Sequence, residues 1–325
     1  VEGAPQRPFP YRQEDPVLGP VLLAASRSDR MRRVVASAPV TRPVVQRFIA
    51  GDDLAPALDT VRALTASGLH VTLDHLGEDV TDRATAQATR DAYLKLLETL
   101  AGAGLAERAE VSVKLSAFGQ ALPDGGHDIA LENVRPVAEL AGEHGTTVTL
   151  DMEDHTTVDS TLSVLRELRR EHPGTGAVLQ SYLFRTEDDA RALAVEGSRV
   201  RLVKGAYKEP GSVAFQDRRE VDRAYVRALR ILFEGEGYPM VGSHDPRMIA
   251  IAQELAARTG RAPGTYEFQM LYGIRTAEQR RLAEAGERMR VYVPYGADWY
   301  GYFMRRLAER PANLAFFLRS FAPGR

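Results

Sequence analysis

The sequence predicts an α/β fold, a (β/α)8 TIM-type barrel with an N-terminal helical extension. Eight short runs rich in β-branched residues, each closing on a polar or charged side chain, carry that reading. A helix-like stretch follows each run, the alternation that a parallel sheet with right-handed crossovers requires. The length, 325 residues, is normal for one barrel with extensions and demands no second domain.

Residues 1–16, VEGAPQRPFPYRQEDP, are Pro-rich and polar without an apolar period, and read as an arm, in part added sequence, with no chemistry assigned. Residues 17–68 read as N-terminal helices, around VLLAASRSDRMRRVVA, TRPVVQRFIA and DLAPALDTVRALTASG. Residues 69–325 read as the barrel, C-terminal helix included. Its strands are HVTLDHLG at 70–77, VSVKLS at 111–116, TVTLDME at 147–153 and AVLQSYL at 177–183, then RVRLVKGAY at 199–207, YPMVGSHD at 238–245, YEFQML at 266–271 and RMRVYVPYG at 288–296. Their near-continuous Val/Ile/Leu suggests burial on both faces. After the first run, Ala88, Tyr93, Leu96, Leu97 and Leu100 fall near helical spacing. After the fifth, Val221, Tyr225, Leu229 and Leu232 do so, with Gly235 and Gly237 as the stop.

Charge is balanced, 42 Lys+Arg against 44 Asp+Glu, and no basic stripe alternates with aromatics, so no nucleic-acid partner is expected. Cysteine is absent, which removes disulfides, thiolate catalysis and thiolate metal sites. VLGPVLLAAS is too short and interrupted to span a bilayer and no convincing cleavage site follows it. The expectation is a cytoplasmic protein, at most peripheral on the inner face of the membrane.

A barrel of this kind does its chemistry at the carboxyl ends of its strands. Lys114, Asp151, Gln180, Arg201, Lys204, His244 and Tyr292 all read as run-end residues, a pattern that one shared cavity explains better than seven unrelated surface positions. Neither GxGxxG after a strand nor GxxxxGK[ST] occurs, which argues against a Rossmann or P-loop enzyme. Asp151, Glu153, Asp154 and His155 resemble a hard-cation cluster, but acidic residues at a strand-to-helix junction also serve as caps and first-turn charges, and no metal is assigned. In RVRLVKGAYKEP, Arg201 and Lys204 flank Gly205, which suits an anionic or electron-accepting ligand; the alternative is that both cations pair with barrel carboxylates. Strand parity turns both inward only if the strand ends or bulges near Val203. Arg305 and Arg306, adjacent on a helix, flank one edge and suit a carboxylate clamp, with Glu309 one turn beyond Arg305.

Together, VSVKLS, TLDMED, LQSYL, RLVKGAYKEP, GSHD, EFQMLYG and Tyr292 followed by RRLAERPAN closely resemble the proline dehydrogenase family, from about residue 70 to about residue 320. The resemblance implies a distorted (β/α)8 barrel that binds FAD without a Rossmann domain and oxidises L-proline to Δ1-pyrroline-5-carboxylate by hydride transfer. It implies that Lys114, Arg305 and Arg306 grip the substrate carboxylate, with Glu309 bracing the arginines. Ala206, Tyr207, Leu271 and Tyr292 would pack around the ring. Asp151 and Arg201 are the implied catalytic pair, and Met152, Gln180, Arg201, Val203, Lys204, Gly205 and His244 the implied flavin contacts. Larger members of the family add an aldehyde dehydrogenase domain for which this chain has no room. A monofunctional enzyme is therefore implied, with non-covalent FAD, a membrane quinone as electron acceptor and a separate pyrroline-5-carboxylate dehydrogenase downstream. On the residues alone, a Schiff-base lyase using Lys114 or Lys204 and a non-catalytic barrel stay open.

Overall fold

The computed structural model describes residues 41–77 and 80–309, with the side chains of Ala308 and Glu309 excepted. The arm, the first helical segment around VLLAASRSDRMRRVVA, the RPAN stretch and LAFFLRSF lie outside the described residues. The described residues divide between two compact units, one of 49–298 and one combining 41–48 with 299–309.

The smaller unit holds α1 (Arg42–Gln46), opened by a proline in its first turn, and the last helix of the described chain, Trp299–Glu309. Phe303 meets both Phe48 and Trp299, with ring centroids 6.3 and 5.8 Å apart.

The larger unit opens with α2 (Leu54–Ala66) and closes into a barrel of parallel strands in chain order: β1 (His70–His75), β2 (Ala109–Lys114), β3 (Val148–Asp151), β4 (Gly176–Gln180), β5 (Arg199–Val203), β6 (Tyr238–Gly242), β7 (Glu267–Leu271) and β8 (Met289–Tyr295). The helices between them are α3 (Arg83–Gly102), α4 (Gly126–Glu143), α5 (Val158–Arg169), α6 (Thr186–Leu193), α7 (Arg218–Glu234), α8 (Pro246–Thr259) and α9 (Thr276–Glu284). The helix of the smaller unit is thus α10.

The amphipathic stripes place the helices. In α3, capped by Asp82 accepting from Thr85 N at 2.8 Å, Tyr93, Leu96, Leu97 and Leu100 are buried. Ala86 is the buried residue of the first turn rather than Ala88, which is exposed. Ala86 stands seven positions before Tyr93, two full turns, whereas Ala88 is rotated well off that stripe. In α7, Asp217 accepts from the amides of Arg219 and Glu220, Tyr225, Leu229 and Leu232 are buried, and the helix stops at Gly235.

The strands differ from the sequence expectation in one instructive way. Near-continuous apolar character holds only on the outer face, where Val71, Leu73, Val111, Val113, Val200 and Leu202, among others, are shielded by helices. The alternate, inward residues are mostly polar. Register shows this: Ser112 stands beside Thr149, Arg201 beside Val178 and Met240, Gln269 beside Arg290, and Tyr292 beside Thr72. Bonds between non-adjacent strands confirm the direction, since Arg201 of β5 reaches Ser112 of β2 and Asp151 of β3.

At the amino-terminal end of this lumen Glu110, 2 % exposed, accepts from Arg199 at 2.5 Å, Thr72 at 2.9 Å and Thr147 at 3.0 Å. Beside it Glu267 is held by Arg290 at 2.7 Å and by Gln269 at 2.5 Å. Burial works to raise both carboxyl groups, yet the charges of Arg199 and Arg290 outweigh it; Glu267 is held at about 2. On His70 burial acts in the opposite sense while the cation acts in the same one: burial, then the charge of Arg290, lowers its imidazole to about 4.

Candidate active site

The carboxyl-terminal end of the lumen gathers five of the seven run-end residues. Lys114, Asp151 and Gln180 each close their strand, and Arg201 stands two residues before the end of β5. Tyr292 is a correction: β8 runs on to Tyr295, so Tyr292 is its fourth residue and sits deeper than a strand end. The apolar and aromatic VYVPY extends the pairing to β1 as far as His75.

Arg201 is the centre of the arrangement. Its Nη1 donates to Asp151 Oδ1 at 2.6 Å and to Ser112 Oγ at 3.2 Å, and its Nε donates to Gln269 Oε1. The other oxygen of Asp151 accepts from the Tyr292 hydroxyl at 2.7 Å, while the Arg201 guanidinium lies 5.3 Å from the Tyr292 ring centroid. Burial, with the charges of Asp151 and Asp74, raises the Tyr292 phenol well above its ordinary range, so it stays a proton donor to Asp151. Lys114 Nζ is ion-paired with Asp74 Oδ2 at 3.0 Å, and Asp74 is 1 % exposed.

Lys204 and His244 lie in loops outside the lumen's register. Strand β5 ends at Val203, as the inward placement of both cations would require, but the chain then turns through Gly205 and Lys204 takes a different direction. Its Nζ bridges Asp222 of α7 and Asp245, the N-cap of α8, at 2.5 and 3.0 Å. Burial works to raise the Asp245 carboxyl, but bonds from Arg247 and Lys204 hold it at about 2. The reading in which Arg201 and Lys204 pair with carboxylates is therefore realised, with different partners for each. His244 Nε2 accepts from the Leu271 amide at 2.9 Å, which puts the neutral ring's proton on Nδ1. Met152 is buried, Val203 and Leu271 are half-buried, and Ala206 and Tyr207 are exposed. Arg305 and Arg306 lie on α10 in the smaller unit, where the Arg306 guanidinium sits 5.1 Å from the Tyr302 ring centroid; the Glu309 side chain lies outside the described residues.

Three loops above the barrel share one buried carboxylate. Glu209, after β5, accepts from the His155 amide at 2.9 Å and contacts the His155 ring at Nδ1, and it accepts from the Tyr182 hydroxyl at 3.4 Å. Tyr182 in turn lies against Gly205: a Cβ built there would meet the ring at 2.5 Å, and φ of +116° already favours glycine. The acidic stretch that resembled a cation site is dispersed by such partners. Glu153 accepts from the Ser116 amide and hydroxyl, Asp154 from Thr156, His155 contacts Glu209, and Asp151 is held by Arg201 and Tyr292. Among the described residues no three potential ligands come together.

Asp74, Ser112, Gln269, Glu209 and the Asp222–Asp245 pair escaped the sequence reading. Inward parity within HVTLDHLG, in which Thr72 and Asp74 alternate with Val71 and Leu73, was the available signal for Asp74.

Three buried atoms of this constellation have no hydrogen-bond partner, the donor Arg201 Nη2 and the acceptors Gln180 Oε1 and Asp74 Oδ1. Gln180 Nε2 is already committed to the carbonyls of Met152 and Glu153 at 3.1 and 3.0 Å. A closed β/α barrel with paired charges at the carboxyl ends of its strands defines the class: an α/β-barrel enzyme. The sequence profile of the proline dehydrogenase family matches residues 57–319. The chain is 40 % identical over 279 residues to proline dehydrogenase 1 of Bacillus subtilis (strain 168), covering 86 % of this chain and 91 % of that one. It is 41 % identical over 285 residues to the proline dehydrogenase of Deinococcus radiodurans, with the same coverage. Among solved structures, proline utilization A from Bdellovibrio bacteriovorus superposes with a TM-score of 0.78 at 25 % identity, over 93 % of this chain but only 37 % of that longer one. The chain belongs to the proline dehydrogenase family and is an oxidoreductase of proline catabolism. No helix of the described residues is long and apolar enough to cross a membrane.

Proposed function

We propose that the chain oxidises L-proline to Δ1-pyrroline-5-carboxylate with non-covalently bound FAD as the immediate hydride acceptor. The observation that carries this reading is the buried Gln180 Oε1, an acceptor without a hydrogen-bond partner at the carboxyl end of the lumen in a member of this family. A heterocycle with a donor edge, such as an isoalloxazine, is what such an unpaired acceptor suits. Met152, Gln180, Arg201, Val203, Lys204, Gly205 and His244 would hold the cofactor, which supplies a two-electron sink when bound. A chain without cysteine offers no thioether link.

The residues of the chain do the orienting. Asp151 and Tyr292 fix Arg201, a cation kept in place without reorganisation. Lys114, Arg305 and Arg306, with Glu309, would take the substrate carboxylate, and Ala206, Tyr207, Leu271 and Tyr292 would surround its ring. Electrons would pass on to a membrane quinone, which the protein would meet at the inner face from the cytoplasm, and the product would leave for a separate pyrroline-5-carboxylate dehydrogenase. Both lysines available to a Schiff-base lyase are ion-paired, Lys114 with Asp74 and Lys204 with Asp222 and Asp245, which disfavours that reading.

The purified protein is expected to be yellow, to release the dye on acid or heat denaturation, and to bleach when L-proline is added anaerobically. A colourless protein that cannot be reconstituted with FAD, or one whose flavin ignores proline, refutes the proposal. Arg305→Met or Arg306→Met should weaken proline binding by about 2 to 5 kcal/mol while FAD stays bound.

A further inference from the structure

The proposed substrate is a zwitterion, and its nitrogen needs a partner as much as its carboxylate does. At the carboxyl end of the lumen the described carboxylates are mostly committed. Asp151 has one oxygen on Arg201 and the other on Tyr292. Glu153 has one on the Ser116 amide and the other on its hydroxyl. Glu209 is held through both oxygens by His155, and Asp245 through both by Arg247. Asp74 differs. Its Oδ2 is ion-paired with Lys114, while its Oδ1 is buried with no hydrogen-bond partner, in a side chain 1 % exposed. The register of β1 puts Asp74 beside Ser112 and Pro294, on the inward side with Thr72.

We infer that Asp74 is a further catalytic residue, whose free Oδ1 accepts a hydrogen bond from the substrate nitrogen. This inference rests on the proposed function above and extends it to an atom that reading leaves unassigned. The chemistry gives the contact a direction. Proline arrives as a secondary ammonium and loses one proton to water. With the proposed flavin as acceptor, a hydride would leave the ring carbon next to nitrogen on the side away from the carboxylate, the nitrogen lone pair would form the C=N bond, and the nitrogen, still bearing one hydrogen, would become an iminium cation. A fixed carboxylate against that N–H favours the state in which positive charge develops there. Lys114, on the other oxygen, keeps the carboxylate oriented and sets the spacing between a cation for the substrate carboxylate and an anion for its nitrogen.

The test compares ligands with and without the nitrogen. Asp74→Asn should lower kcat/KM for L-proline about tenfold to hundredfold, the range of a charge-assisted hydrogen bond, with kcat sharing the loss. Binding of cyclopentanecarboxylate, the same acid with carbon in place of N–H, measured by calorimetry on the FAD-loaded protein, should stay unchanged or tighten. If both ligands are weakened alike, Asp74 acts only through Lys114 and the inference is overturned; it is equally overturned if neither is affected. Should the Asn variant fail to fold, Asp74→Asn/Lys114→Met removes the ion pair as a whole, and its two ligands are compared with those of Lys114→Met alone. A wild-type protein that never oxidises proline sinks the proposed function itself, a separate outcome.

Discussion

Replacing Glu110 with Gln should be among the most damaging changes that leave every side chain the same size. In the lumen Arg199, Arg201 and Arg290 are matched by Glu110, Glu267 and Asp151. Glu110 touches all three cations, Arg199 at 2.5 Å, Arg290 at 3.8 Å and Arg201 at 3.9 Å. The amide can keep an oxygen toward Arg199 and Thr147, and its NH2 can turn to Thr72, so hydrogen bonding is largely conserved. What is lost is one negative charge from a side chain only 2 % exposed, leaving an excess cation. Breaking one partner of a buried pair costs about 3 to 5 kcal/mol. The expected readout is a fall in the urea midpoint and a Tm lower by roughly 5 to 15 °C. The paired change Glu110→Met/Arg199→Met should recover much of that loss, because it removes both charges together. A loss below about 1 kcal/mol in the single variant, or no recovery in the double, would show that the lumen charges are solvated and refute the argument.

Gly205→Ala adds a methyl against the Tyr182 ring at a left-handed φ; about 2 to 4 kcal/mol is expected, seen as reduced FAD retention on gel filtration, and normal flavin content would contradict it. Tyr292→Phe removes one donor from Asp151 and should lower kcat/KM for proline by roughly threefold to tenfold, with an unchanged value counting against the Asp151 contact. His70 and Glu267 both have depressed values in the folded state, so the unfolded chain takes up protons first as pH falls. The His70 contribution is full above 6.5 and is lost toward 4, and that of Glu267 is full above 4.5 and lost toward 2. Denaturation midpoints should decline in two stages, and His70→Gln should flatten only the upper one.

The eight strands were legible because parallel strands write their outer faces in Val, Ile and Leu, and closure of the barrel follows from their number and the helices between them. Lys114, Asp151 and Gln180 were found because each ends its strand, where a change of residue type is visible along the chain. Tyr292 was placed too near the surface, since VYVPY gives no local sign of where pairing to β1 stops. The inner face was misjudged for a related reason: Glu110 meets Arg199 across 89 residues and Arg201 meets Asp151 across 50, so no window of sequence contains both members of either pair. Asp74 was passed over as one more polar residue in a run read for its apolar members, although its free oxygen becomes informative only once the neighbouring carboxylates are seen to be occupied.

Because His155, Tyr182 and Glu209 come from three successive strand-to-helix loops, the loops of His155 and Glu209 cannot part without stranding a buried carboxylate, and the Tyr182 hydroxyl ties the third loop to them at 3.4 Å. Local opening should therefore be cooperative, and amide exchange at His155 and Phe215, the latter bonded to the Tyr182 carbonyl at 2.8 Å, should share one opening free energy. A ligand that steadies any of the three loops would then slow exchange in all of them, so the roof over the barrel behaves as one latch with three hinges.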